Sequence, residues 1–258
     1  MSLPEKQNET KDANSSSGEN IKEEQISYQI DGTKYDGYVY YNEDQKGRMP
    51  GILVVHEWWG LNDYSRHRAR KLAELGYISM AVDVFGNSKN ADDPESAQNL
   101  AMPFYKDPSL SKKLLDPAID LLKTYPQTDE TKMAAIGYCF GGFVVLNAAK
   151  LGADLKGVVS FHGGLGGVKP DKDLIKADFL ICHGAEDPMA NPDVDDFKKG
   201  MESEGIDYTF KVYADATHAF SNPNATAKGE KFNMPIRYNE DADKASWNDM
   251  KEFFKKIF

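Results

Sequence analysis

Gly137-Tyr138-Cys139-Phe140-Gly141 sets a thiol between two glycines, at the point where an apolar run gives way to a helical one. Met133-Ala134-Ala135-Ile136 precedes it, and Phe143-Val144-Val145-Leu146-Asn147-Ala148-Ala149 follows. Strand, sharp turn and helix form the context in which a glycine-x-nucleophile-x-glycine pentapeptide presents a reactive side chain. The nucleophile sits on a strained bend, so its neighbours must be small where the two backbones meet. A helix N-terminus beneath it offers N–H groups and positive dipole to a developing anion. Cysteine suits such a position, because the thiolate is a strong nucleophile that positive surroundings favour.

A thiol needs a base, and the base needs an acceptor that fixes its tautomer. In open α/β sheets such groups gather in loops at the carboxyl ends of strands. His56-Glu57-Trp58-Trp59-Gly60, Asp83, His162-Gly163-Gly164, Gly184-Ala185-Glu186-Asp187 and Ala216-Thr217-His218-Ala219-Phe220 occupy those ends. Asp187 and His218 complete a nucleophile–acid–histidine order with Cys139. Among five histidines, His183 reads as a packed or hydrogen-bonded strand residue, and His162 as a shaper of the pocket mouth. Glu186 reads as solvated, and the shorter Asp187 fits the orienting role. Trp58 and Trp59 are expected as packing and pocket wall, and Asp83 as a strand-end hydrogen-bonding residue.

The elements that must position these groups alternate along the chain. Gln25–Ile30 and Lys34–Tyr41 read as strands joined by the hairpin signal Asp31-Gly32. Ile52–Val55 has the continuous apolar character of a strand covered on both faces. Asn62–Leu75 reads as a helix stopped by Gly76, and Tyr77–Val82 as the next strand. Residues 94–124 read as two helices broken near Pro108. Lys132–Ile136 is the strand leading to Cys139, and Phe140–Leu151 its helix. Gly157–Phe161, Phe179–His183 and Tyr208–Tyr213 are further strands, with helices over Val194–Glu204 and Ala242–Ile257. This alternation predicts an α/β fold with a mostly parallel twisted sheet and helices on both faces.

With these motifs assembled, the chain resembles the dienelactone hydrolase family, a branch of the α/β-hydrolases with a catalytic cysteine. The resemblance runs from about Gln25 to Phe258 and is carried by four segments. These are His56-Glu57-Trp58-Trp59-Gly60, Gly137-Tyr138-Cys139-Phe140-Gly141-Gly142, His183-Gly184-Ala185-Glu186-Asp187-Pro188 and Thr217-His218-Ala219-Phe220. It implies Cys139 as nucleophile, Asp187 as orienting acid and His218 as base, with an oxyanion hole from the backbone N–H groups of Trp58 and Phe140. It further implies that Glu57 hydrogen-bonds the resting thiol and gates it. Family members that act on dienelactone hold its carboxylate with two arginines; Asn87 and Asn222 stand at those places here. Asparagine supplies hydrogen bonds but no charge. The expected substrate is therefore another small ester or lactone. Arg237 is the one later arginine that could restore the charge, and Trp59, His162 and Tyr238 complete the expected pocket. The same machinery would serve a thioesterase or a cysteine peptidase. A redox-sensing or catalytically silent binding protein is the rival from a different class.

Bulk properties narrow the field. The 258 residues carry 31 basic and 41 acidic side chains, a net charge of −10 that argues against a nucleic-acid partner. Two cysteines, Cys139 and Cys182, on strands not expected to be neighbours, imply no disulfide framework. No apolar run is long enough to span a membrane. No cluster has metal-ligand spacing, and neither a cofactor nor a metal is expected. His162-Gly163-Gly164-Leu165-Gly166-Gly167 matches no nucleotide fingerprint. Residues 1–20 are polar and read as a disordered leader ahead of one domain over 21–258. A monomer is expected. The compartment is left open: cytoplasmic, or periplasmic or secreted if an export signal preceded Met1-Ser2-Leu3.

Overall fold

The computed structural model describes residues 20–258, so the expected leader lies, apart from Asn20, outside the described residues. Its eight strands are β1 (Ile21–Ile30), β2 (Thr33–Asn42), β3 (Met49–Val55), β4 (Ile78–Val82), β5 (Thr128–Tyr138), β6 (Gly157–Phe161), β7 (Asp178–Gly184) and β8 (Thr209–Tyr213). They form one sheet in the order β1-β2-β4-β3-β5-β6-β7-β8. The first two strands run antiparallel, and every pair from β4 to β8 is parallel. The β1–β2 hairpin turns at Asp31 (φ 50°) and Gly32 (φ 78°), the left-handed pair that matches strand twist.

The helices are α1 (Asp63–Glu74), α2 (Pro94–Lys106), α3 (Leu110–Lys123), α4 (Phe140–Lys150), α5 (Val194–Ser203), α6 (Ala225–Phe232) and α7 (Glu240–Ile257). They cover both faces, and the strands divide their side chains between two cores. Ile52 and Val54 of β3 pack with Leu72 of α1 and Met250 and Phe254 of α7. Leu53 and Val55 pack on the other face with Leu115 of α3 and Val144 of α4. The period-two alternation of strand side chains is what feeds both layers from one apolar run. None of the helices described is long and apolar enough to cross a membrane.

Two departures from the sequence reading have physical causes. Strand β1 starts at Ile21 rather than Gln25, because charged residues at this sheet edge find partners: Lys22 pairs with Glu24 at 2.9 Å and Arg66 with Glu23 at 2.6 Å. Helix α6 has no counterpart in the prediction; its sequence Ala225-Thr226-Ala227-Lys228-Gly229-Glu230-Lys231-Phe232 is polar and holds an interior glycine. Gly229 is needed there, since a Cβ would collide with the Ile236 carbonyl oxygen.

The turn after β5 is the tightest junction in the sheet. A Cβ on Gly137 would overlap the Gly141 carbonyl, and one on Gly141 would overlap the Val55 carbonyl. A Cβ on Gly142 would come within 2.7 Å of the Gly163 Cα. Gly137→Ala should therefore cost about 3 kcal/mol or more of stability, through overpacking that the backbone cannot relieve. Urea denaturation midpoints for the two proteins measure this, and a loss below about 1 kcal/mol would refute the close-contact argument.

Candidate active site

Cys139 occupies the bend between β5 and α4 with φ 53° and ψ −116°, a backbone region sparsely populated by any residue with a Cβ. Its N–H is shared by the Phe161 carbonyl at 2.9 Å and His162 Nδ1 at 3.1 Å. These contacts over-determine the strained backbone. The side chain is then thrown up toward the loop after β8, where His218 Nε2 lies 3.0 Å from Cys139 Sγ. On the other side of the ring, His218 Nδ1 is 2.8 Å from Asp187 Oδ2. Asp187 Oδ1 accepts the N–H groups of Met189 at 2.9 Å and Ala190 at 3.1 Å, so the loop fixes the carboxylate before it meets the ring.

Burial works against charge on His218, but the Cys139 sulfur and the Asp187 carboxylate outweigh it and hold the imidazole well above its ordinary value. Burial likewise opposes charge on Asp187. The hydrogen bond and charge of His218, with the Met189 and Ala190 amides, win and keep the carboxyl low. The ring beside them behaves differently. His162 is buried, and desolvation followed by the charge of His218 pushes it well below the usual histidine range. A neutral His162 that accepts at Nδ1 must donate from Nε2, and its partner is Ser221 Oγ at 2.7 Å. Ser221 Oγ in turn lies 2.8 Å from the Tyr64 hydroxyl. His162 thereby ties the turn that carries Cys139 to the loop that carries His218. It backs the site and does not shape its mouth.

The thiol and the His218 ring open into a cavity of about 500 Å³. Trp58, Trp59, Tyr105, Phe140 and Phe143 form much of its wall, with Met102, Met189, Met234 and Ile236. Trp58 and Phe140 line the same cavity as Cys139, and their backbone N–H groups have no hydrogen-bond acceptor among the described residues. Trp59 meets Trp58 edge-on at 5.2 Å and stacks on Phe232 at 6.0 Å.

Several expected pocket residues lie elsewhere. Asn87 is exposed, with φ 55°, and its N–H bonds the Lys34 carbonyl; the left-handed backbone turns it away from the cavity. Arg237 pairs with Glu186 at 2.7 Å and bonds the Asp215 carbonyl at 3.0 Å, on the outer surface. The Tyr238 hydroxyl donates to Asp243. Asn222 is buried behind the cavity wall and donates to Glu57 Oε2 at 2.6 Å. The Glu57 carboxylate thus meets Asn222, while the thiol faces His218. Burial pushes the Glu57 carboxyl up, opposed by Lys228 and by the Asn222 amide. His183 Nε2 contacts Asn191 Oδ1 at 2.7 Å, and Cys139 and Cys182 are both free thiols.

The sequence reading missed Lys228, Tyr105 and the three methionines. Lys228 Nζ sits 3.8 Å from the centroid of the Trp59 ring. No motif marks it, because α6 itself has no amphipathic signature. The two amides on Asp187 were open to discovery, since Asp-Pro-x-Ala is turn chemistry in which an aspartate accepts from residues two and three further on.

A parallel sheet with a thiol on a strand-to-helix bend, and a carboxylate and an imidazole on later strand-end loops, defines an α/β-hydrolase fold. The chain belongs to the dienelactone hydrolase family, whose family model matches residues 35–258. It is similar to a dienelactone hydrolase-like promiscuous phosphotriesterase from metagenomic libraries, with 30% identity and a TM-score of 0.85 over 93% of this chain and 99% of that one. A solved structure named m3DLH shares 34% identity at a TM-score of 0.86, over 93% of this chain and 99% of its own. A candidate carboxymethylenebutenolidase of Aquifex aeolicus is 28% identical over 76% of this chain and 86% of the relative. The chain is thus a hydrolase of the lactone and ester type.

The Asp187 shift carries a testable sign. A depressed carboxyl adds stability that is complete above its unfolded value near pH 4 and is lost as pH falls through the folded value. The stability advantage of wild type over Asp187→Asn should accordingly shrink as pH falls from about 4 into the more acidic range. Thermal unfolding across that range measures it, and a difference independent of pH would show that Asp187 is not held ionised by His218.

Proposed function

We propose that the chain hydrolyses a small ester or lactone through a Cys139 acyl-enzyme, with His218 as base and Asp187 as its orienting acid. The observation that carries this reading is the unbroken Sγ···Nε2 and Nδ1···Oδ2 contact series, 3.0 and 2.8 Å, that opens into an apolar cavity. The Cys139 sulfur, its proton on His218, attacks the carbonyl carbon. The resulting oxyanion is taken by the N–H groups of Phe140 and Trp58, donors of a kind worth about 3 kcal/mol each. His218 then gives the proton to the departing alkoxide. In the second half-reaction it takes one from water, and hydroxide attack on the thioester releases the acid.

The cavity wall speaks for the substrate. Its ionisable side chains are Glu57, Asp193, His218, Tyr105 and Cys139, with no lysine or arginine among the described lining residues. A carboxylate beside the reacting carbonyl would face Glu57 with no lysine or arginine in the wall to match it, the nearby Lys228 already answering Glu57, so dienelactone itself fits poorly. Neutral lactones should be preferred over analogues with a carboxylate next to the ring by about tenfold or more in kcat/KM. Preference for the anionic analogue would overturn this substrate assignment.

For the nucleophile, Cys139→Ala should lose p-nitrophenyl acetate hydrolysis by at least about a thousandfold while keeping its fold by circular dichroism. Turnover near the wild-type rate would end the assignment. A role for Glu57 in controlling the thiol would appear as an altered pH profile of iodoacetamide labelling in Glu57→Gln. An identical profile removes it from that role.

A further inference from the structure

A second cavity, of about 620 Å³, adjoins the catalytic one, and Gly166, Gly167 and Asp193 belong to the walls of both. The glycines of this shared wall are not equivalent. Gly167 has φ 104° and its Cβ would overlap Asn147, so the backbone demands glycine there. Gly166 has no such need: its φ is ordinary, and a Cβ would meet nothing closer than Asp193 at 3.4 Å. Gly164 is similar, with Phe143 as nearest neighbour at 3.7 Å. Folding therefore leaves two bare positions unexplained, and their effect is to keep the saddle between the cavities low.

Beyond the saddle stands Lys150, the last residue of α4 and only 3% exposed. Its ammonium has one oxygen partner, the Leu165 carbonyl at 3.4 Å, and lies 5.2 Å from the Phe197 ring centroid. No carboxylate comes within 4 Å of it among the described residues. A buried cation without an ion pair is unfavourable, and an anion brought beside it would relieve that cost. Burial already pushes the lysine down to about 8. The other charges in this cavity are more exposed: Lys169, Lys199 and Asp196 are screened by water and salt, Glu204 is partly exposed, and Asp193 of the shared wall, itself exposed, opposes the burial shift of Lys150 without pairing with it.

We propose that this cavity is a distal subsite: a substrate whose reacting carbonyl lies at Cys139 passes its acyl chain over Gly164 and Gly166 and sets a terminal carboxylate against Lys150. The inference rests on the reading of Cys139 as the hydrolytic nucleophile. It distinguishes two places for a negative charge, refused beside the reacting carbonyl and accepted at the far end of the chain.

The experiment compares p-nitrophenyl monoesters of linear dicarboxylic acids with neutral p-nitrophenyl esters of the same chain length. Wild type should show, at one or more lengths, an anionic-to-neutral ratio of kcat/KM of about ten or more, as a charge-assisted contact provides. Lys150→Met should bring that ratio to about one or below. Gly166→Val, which raises the saddle and leaves Lys150 in place, should lower it as well and guards against a Lys150 variant that misfolds. A wild-type ratio at or below one at every length overturns the proposal. So does an undiminished ratio in Lys150→Met accompanied only by a lower melting temperature, the mark of a lysine that merely braces the Leu165 carbonyl. Failure of the nucleophile reading shows separately, as turnover of both esters by Cys139→Ala.

Discussion

Backbone crowding at the end of β5 governs the rest of the site. Gly137, Gly141 and Gly142 bring β5, α4, the end of β3 and the β6 loop closer than side chains allow. With the turn closed that tightly, Cys139 has no relaxed conformation open to it, and its backbone is held at φ 53° by two acceptors on one N–H. The strain is local, and the packed helix and sheet sustain it. What it gains is direction: a sulfur held above the sheet, over the N-terminus of α4, at contact distance from an imidazole 79 residues further along.

Around that sulfur the structure arranges two histidines with opposite electrostatic characters. Both are buried. His218 faces the Cys139 sulfur and a carboxylate, and so carries charge readily; His162 faces a backbone N–H and a serine hydroxyl, and so does not. The neutral ring still works mechanically, since Cys139 and Ser221 are its two hydrogen-bond partners and Ser221 lies three residues after His218. The spacing of Cys139 and His218 is thus braced by a third ring, that of His162.

The convergence of Cys139, Asp187 and His218 was legible in the sequence because its signals are local. The Gly137–Gly142 turn, the strand-end Asp187 and the post-strand His218 each follow from short-range steric or periodic rules, and the mostly parallel sheet follows from the alternation of strands and helices. The pocket wall was far less legible. Asn87, Arg237 and Tyr238 lie at the right distances along the chain, yet a left-handed backbone, an ion pair with Glu186 and a hydrogen bond to Asp243 point them outward. Side-chain direction in loops depends on tertiary partners that no spacing encodes. The same holds for α6, which folds because its glycine admits the Ile236 carbonyl.

Trp58 and Trp59 both line the catalytic cavity, and Trp59 lies between an aromatic ring and an ammonium group. The third indole of the chain, Trp247, is packed on the opposite side of the sheet with α1 and α7. Two of the three tryptophans therefore stand where an occupant of the site would meet them, and the remaining one reports only on the scaffold. Intrinsic emission can follow occupancy of this enzyme without a label, with loss of the scaffold visible as a separate red-shifted component.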